Sequence, residues 1–208
     1  MIKKIENKKG FTLIETLVAI TILLLSIVGP LQIAAQALFS AFYSREEITA
    51  YYLAEESIEY IKNARDTRFL VDVFNSDGTP VDGGAWLYGL DECVADPSSG
   101  QTGCRVDATK SFIGDPDAIV SCMNSAPCPN MLFNQNTGIW SYNSSDPSAV
   151  PSRFNRTVVI IPQSNNGTPT NNEEALIEAT VTWTSSSGFG AANRKVTVKA
   201  LMTNWERK

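Results

Sequence analysis

No histidine occurs anywhere in the 208 residues, so the chain lacks the side chain that most often serves as general base or transition-metal ligand near neutral pH. Hydrolase and metalloenzyme chemistry lose their usual centre. The remaining residues offer no nucleophile–base pair, glycine-rich phosphate loop or carboxylate constellation that would support catalysis. The composition therefore points away from an enzyme, and toward a protein without cofactor or metal. Charge is also missing from one place: between Phe11 and Ser44 the only charged side chain is Glu15. Beyond that stretch the sequence is polar and rich in turns, so the chain reads as a greasy rod followed by a water-facing head.

The net charge of −5 is unevenly spread. Lys3, Lys4, Lys8 and Lys9 hold four of the 17 basic residues, and only Glu6 offsets them before Phe11. Without that segment 13 basic residues face 21 acidic ones, a net of −8. An acidic protein of this kind is a poor match for nucleic acid, because affinity for a phosphate backbone rests on Lys and Arg.

A basic segment followed by an apolar run keeps the lysines on the cytoplasmic side and sends the C-terminal head across the bilayer. Two ordinary readings compete for such a run. One is a secretory signal, with a small-residue site at Ala35-Gln36-Ala37. The other is a single-span anchor, for which the length is ample. Neither needs Glu15. A charged group within a spanning helix costs about 2.5–3.5 kcal/mol on insertion scales, and such a residue usually marks a function and a partner.

Lys8-Lys9-Gly10-Phe11-Thr12-Leu13-Ile14-Glu15 resembles the processing motif shared by type IV pilins and the pseudopilins of secretion and DNA-uptake systems. The resemblance implies that a prepilin peptidase cuts after Gly10 and methylates the new amine of Phe11. It also implies that Glu15 pairs with such an amine, typically from a neighbouring subunit. The implied partners are other pilin-like subunits, the peptidase, an inner-membrane assembly platform and the lipid bilayer. The implied place is a single-pass membrane protein with its head outside the cytoplasm, later part of a filament.

The expected organisation is a leader at 1–10, an apolar transmembrane and filament-core helix at 11–44, and an amphipathic helix at 45–68. A turn-rich, cysteine-bearing insertion at 69–153 and an antiparallel sheet at 154–208 complete an α+β fold. Gly29-Pro30 is read as a helix break, because proline removes a backbone bond; it is either a simple kink or, as the resemblance favours, a segment that loosens on filament entry. Ala50, Leu53, Ala54, Ser57, Ile61 and Ala64 recur at helical spacing, opposite Glu46, Glu47, Glu55, Glu56, Glu59 and Lys62, which leaves one face to cover a sheet.

Between Thr67 and Asn155, dipeptides such as Asp77-Gly78, Gly83-Gly84, Asp96-Pro97, Asp115-Pro116 and Asp146-Pro147 mark turns. Cys93, Cys104, Cys122 and Cys128 lie in this stretch. Four cysteines allow three connectivities, and closing the shorter loops gives Cys93–Cys104 and Cys122–Cys128. Four-thiolate zinc is the alternative, but neither pair has the short metal spacing. Asp72, Asp77, Asp82, Asp91 and Asp96 do not follow a calcium loop. Asn143, Asn155 and Asn166 begin glycosylation sequons that an Asn-, Ser- and Thr-rich chain produces by chance. Strands are expected at Phe154–Ile161, Ala175–Thr184 and Arg194–Met202, the second alternating Ile177, Ala179, Val181 and Trp183 with polar residues. A binding module at a filament tip is the competing function, with Trp86, Tyr88, Trp140 and Tyr142 as contacts; such aromatics are more often core.

Overall fold

The computed structural model describes residues 10–71, 86–87, 89–96, 98–163, 174–187 and 190–204. Leader residues 1–9, Asp72, Asp77, Asp82, Tyr88 and Asn166 lie outside them. A single helix, α1 (Leu13–Val71), spans 59 residues. It begins where Thr12 accepts a hydrogen bond at Oγ1 from the backbone N–H of Glu15, at 3.3 Å. This satisfies one of the donors that every helix leaves open at its start.

Between Leu13 and Leu38 the large aliphatic side chains are exposed. Apolar residues surround this part of the helix, as they must where lipid or other helices supply the solvent. The stretch is long and apolar enough to cross a membrane. Hydroxyls within it are absorbed locally: Thr16, Thr21 and Ser26 each donate to the carbonyl three residues earlier. The helix continues through Gly29 and Pro30, which corrects the expected break. Proline removes one donor, whereas ending a helix in apolar surroundings would strand several carbonyls and N–H groups, so continuity costs less.

From Glu46 onward the periodicity changes meaning. Ala50, Leu53, Ala54, Ser57, Ile58, Ile61 and Ala64 are buried, one stripe of a 3.6-residue repeat. Three alanines and a serine let the backbone approach closely, and Ser57 Oγ donates to Ala54 O at 2.7 Å, so its burial leaves no open donor.

Seven strands occur among the described residues: β1 (Gln101–Val106), β2 (Ile119–Met123), β3 (Asn130–Asn134), β4 (Trp140–Ser141), β5 (Ala149–Gln163), β6 (Glu174–Ser187) and β7 (Gly190–Thr203). They form one sheet. β6 lies along one edge of β5 and pairs with β7, while β3 and β1 share the other edge of β5 and carry β4 and β2 beyond them. All of these ladders are antiparallel. The three expected strands are present and longer than their hydrophobic alternation suggested. The turn-rich segment adds four short strands that periodicity does not reveal, because two to six residues between turns are too few for an alternation to register.

On β5, Phe154, Arg156, Val158 and Ile160 point inward; on β6, Ala175, Ile177, Ala179, Val181, Trp183 and Ser185 do. Cys93 is bonded to Cys104, and Cys122 to Cys128. With all four cysteines in disulfides, no thiolate is left for zinc. Gly103 sits at a bulge in β1 with φ of 129°, and a Cβ there would lie 2.5 Å from the carbonyl oxygen of Val158. Only glycine lets β1 close on β5 beside Cys104.

Candidate assembly site

Gly10 is exposed, and a Cβ at that position would meet nothing within 4 Å. Phe11 is 78% exposed. The peptide between them is therefore open on all sides among the described residues. Two residues later α1 begins, and Glu15 occupies its first turn. Thr12 and Glu15 have the spacing of a capping box, of which the threonine half is formed. A carboxylate in the first turn lies against the positive end of the helix dipole, worth about 0.3–1 kcal/mol at an exposed site. Among the described residues no cation pairs with it.

Gly10, Phe11 and Glu15 thus gather at one end of α1, whereas Gly29 and Pro30 lie within it and the four cysteines belong to the head. Thr12 escaped the sequence reading, although Thr-x-x-Glu was available as its signal.

The head is fastened to its part of α1 by polar residues that sequence reasoning also missed. Arg156 is 1% exposed and lies within β5. Its Nη1 donates to Leu53 O at 2.7 Å and to Glu56 Oε2 at 2.6 Å, and its Nη2 donates to Val106 O at 2.5 Å. One guanidinium therefore ties α1, β5 and the end of β1 together. Its signal was parity, since Phe154, Val158 and Ile160 mark the inward face and Arg156 falls among them. One level along, Glu46 accepts from Arg153 at 2.6 Å and from Trp183 Nε1 at 3.0 Å.

Asp107 is buried as well. Its Oδ1 accepts from the N–H and hydroxyl of Thr109, and its Oδ2 accepts from the backbone of Tyr142 at 2.9 Å. It closes the turn after β1 and holds the segment after β4 beside it. Burial raises the Tyr142 phenol above its ordinary pKa, against the opposing pull of Arg156. In the loop after β1, Lys110 Nζ lies 3.1 Å from Asp117 and 3.3 Å from Asp115. Its pKa is raised chiefly by the bond to Asp117, and that of Asp115 is lowered chiefly by the backbone N–H of Asp117.

The proposed tip aromatics that can be placed have packing roles. Trp140 stands between Phe133 and Phe154, with ring centroids at 4.7 and 5.4 Å. The Tyr142 ring lies 5.2 Å from the Arg105 guanidinium. Trp86 is half-buried. Among the described residues no group of three acidic or cysteine side chains is arranged to hold a metal ion.

A family profile for the prokaryotic N-terminal methylation motif matches residues 6–29, the segment that contains Gly10, Phe11, Glu15 and the first half of the apolar run. The motif is typical of type IV pilins and pseudopilins. The chain thus carries at its N-terminus the methylation motif of type IV pilins and pseudopilins. No curated protein and no solved structure matches it. Proteins of the pilin-like class are structural, assemble with other pilin subunits and are served by a prepilin peptidase. The apolar helix that follows the motif is suited to membrane anchoring, and the α+β layout of long helix and antiparallel sheet follows the expected plan.

Proposed function

We propose that the chain is a prepilin cut after Gly10, methylated on Phe11 and assembled through its N-terminal helix into a filament as a minor pilin or pseudopilin. The observation that carries this reading is the combination of an open Gly10-Phe11 peptide and a single carboxylate in the first turn of an exposed apolar helix. Before assembly the helix anchors the subunit with its head outside the cytoplasm. In a bundle of such helices Glu15 needs a counter-ion, and cleavage creates one at the same depth: the amine of Phe11 on a neighbour. At about 4 Å and an effective dielectric near 20 the attraction is ~4 kcal/mol, part of which desolvation consumes. A neighbour out of axial register leaves both charges unpaired, so the pair sets stagger as well as affinity.

The test compares membrane and sheared-filament fractions in the native host. Intact-mass analysis should show a mature chain that begins at Phe11 and carries one added methyl group, and Gly10→Val should leave precursor in the membrane. Glu15→Leu should insert and be cleaved normally but be depleted from filaments, with Glu15→Gln intermediate. A mature chain that starts after Ala37, or normal incorporation of Glu15→Leu, would sink the proposal.

A further inference from the structure

We infer that the head carries a second, electrostatic assembly contact, in which the β7 edge of one copy lies against the acidic segment 91–96 of the next. β7 pairs with β6 alone among the described strands, so its other side has no strand partner among the described residues, although the Thr203 carbonyl at its end accepts from Arg65. It also concentrates positive charge in an acidic protein, since Arg194, Lys195 and Lys199 all lie on it and are exposed. Lysines on an open edge oppose pairing with a second basic edge of the same kind. They favour an acidic one.

That acidic edge is present on the same sheet. Asp91, Glu92 and Asp96 are exposed and belong to the segment that reaches the far side of β5 through the Val94↔Ile160 bridge. Register fixes its height. Ile160 pairs with Ile177 and Ile177 with Ala200, so the acidic segment stands level with Lys199. Two edges of opposite charge thus lie at one height on opposite sides of the head. Because they are different surfaces, their contact is head-to-tail and repeats instead of closing into a pair. That repetition suits a fibre, and this inference rests on the filament reading to that extent.

Neighbouring charges leave the two edges distinct. Lys199 Nζ also contacts Glu178 at 2.9 Å while remaining about half exposed. On the acidic side the nearby cations Arg105 and Lys110 are engaged by Asp115 and Asp117.

The experiment uses the full-length chain, in membranes and in sheared filaments, with a zero-length carbodiimide that joins amines only to touching carboxylates. Links from Lys195 or Lys199 to Asp91, Glu92 or Asp96 are expected. Three strand spacings separate these edges within one copy, about 14 Å, so such a link must join two copies. The Lys199–Glu178 link within one copy serves as the internal control. Lys195→Glu with Lys199→Glu should cut intermolecular links and filament yield about tenfold through like-charge contact, as should Asp91→Lys with Glu92→Lys. Combining both reversals in one chain should restore both readouts. Lys195→Gln with Lys199→Gln, which is gentler on folding, should weaken the links without reversing them. Filaments that form with the control link alone, or reversals that the combination does not rescue at normal membrane levels, overturn the inference. Intermolecular links in membranes without any filament would support it and count against the filament reading instead.

Discussion

Removing the Arg156 guanidinium should loosen the head from its helix, and the structure sets the size of the effect. The group makes three donor contacts, to Leu53 O, Glu56 Oε2 and Val106 O, and hydrogen bonds involving a charged group contribute about 1.5–3 kcal/mol each before losses. The losses are visible. Nε is buried and finds no partner among the described residues, and Glu56 is 43% exposed, so water screens the ion pair. Leu53 O retains a helical position and loses only one of its possible donors. Breaking a buried pair from one side costs ~3–5 kcal/mol when the survivor stays dry, and here the survivor can hydrate. We therefore expect Arg156→Met, which keeps the volume, to destabilise by ~2–3 kcal/mol, and Arg156→Lys by ~1–2 kcal/mol because it keeps charge but loses the fork. Glu56→Gln should cost under ~1 kcal/mol. The assay is denaturant unfolding of the detergent-solubilised chain with both disulfides intact, read as a shift in midpoint at constant slope. An Arg156→Met variant within ~0.5 kcal/mol of the parent, near the scatter of such measurements, would show that desolvation cancels the whole network.

Further outcomes follow from the same geometry. Gly103→Ala meets both a positive φ and the Val158 carbonyl, so it should cost ~1–3 kcal/mol and lower the unfolding midpoint; an unchanged midpoint would contradict the close approach of β1 and β5. Replacing both cysteines of either disulfide by serine should cost ~2–3 kcal/mol, given loops closed over 11 and 6 residues, measured against the parent under non-reducing conditions. Because the folded Tyr142 phenol has a raised pKa, its contribution is complete below the ordinary value near 10 and is lost as pH rises through the higher folded value. Tyr51 is raised as well, chiefly by its bond to Glu55, so phenolate absorbance should show late-titrating tyrosines and Tyr142→Phe should lower that late amplitude by one phenol without abolishing it. Asp115 runs the other way: its lowered folded pKa means its contribution is present above ordinary carboxylate pKa values and lost as pH falls through the folded one, a shift that carboxyl NMR titration would reveal.

How much was legible in the sequence depended on how long each signal ran. The rod declared itself because 34 residues carry one charge, and the amphipathic face because the repeat persists from Ala50 to Ala64. β6 was readable from its strict alternation. β1 to β4 were not, since their positions depend on β5 and on two disulfides whose geometry no local window contains. Arg156 looked like an ordinary charged residue in a strand, and only its parity hinted that it faced inward. Its partners, Leu53 and Val106, lie 103 and 50 residues away. Pro30 misled in the opposite direction, since local propensity disfavours helix there and the apolar setting of a long helix overrides it.

The two parts of α1 obey different rules, and this is the physical reason one helix could serve both the anchoring and the assembly proposed above. Within 46–71 a narrow stripe of small and aliphatic residues is committed to the sheet, and Arg156 and Glu46 pin it with charged bonds of fixed direction. Sliding along that stripe would break several such bonds at once. Within 13–44 the apolar residues surround the helix, so lipid and neighbouring helices satisfy them equally well and no single axial position is preferred by the hydrophobic effect alone. Such a rod can leave a bilayer for a bundle with little change in apolar burial, but it cannot choose its register from greasy contacts. Register must come from the few polar groups present, and Glu15 is the only charged one. Its place in the first turn, beside the amine that cleavage at Gly10 would create, puts the whole directional information of the rod at its tip. In the proposed filament the stagger of neighbouring subunits is therefore set at that end, while the charged edges of the head fix their rotation about it.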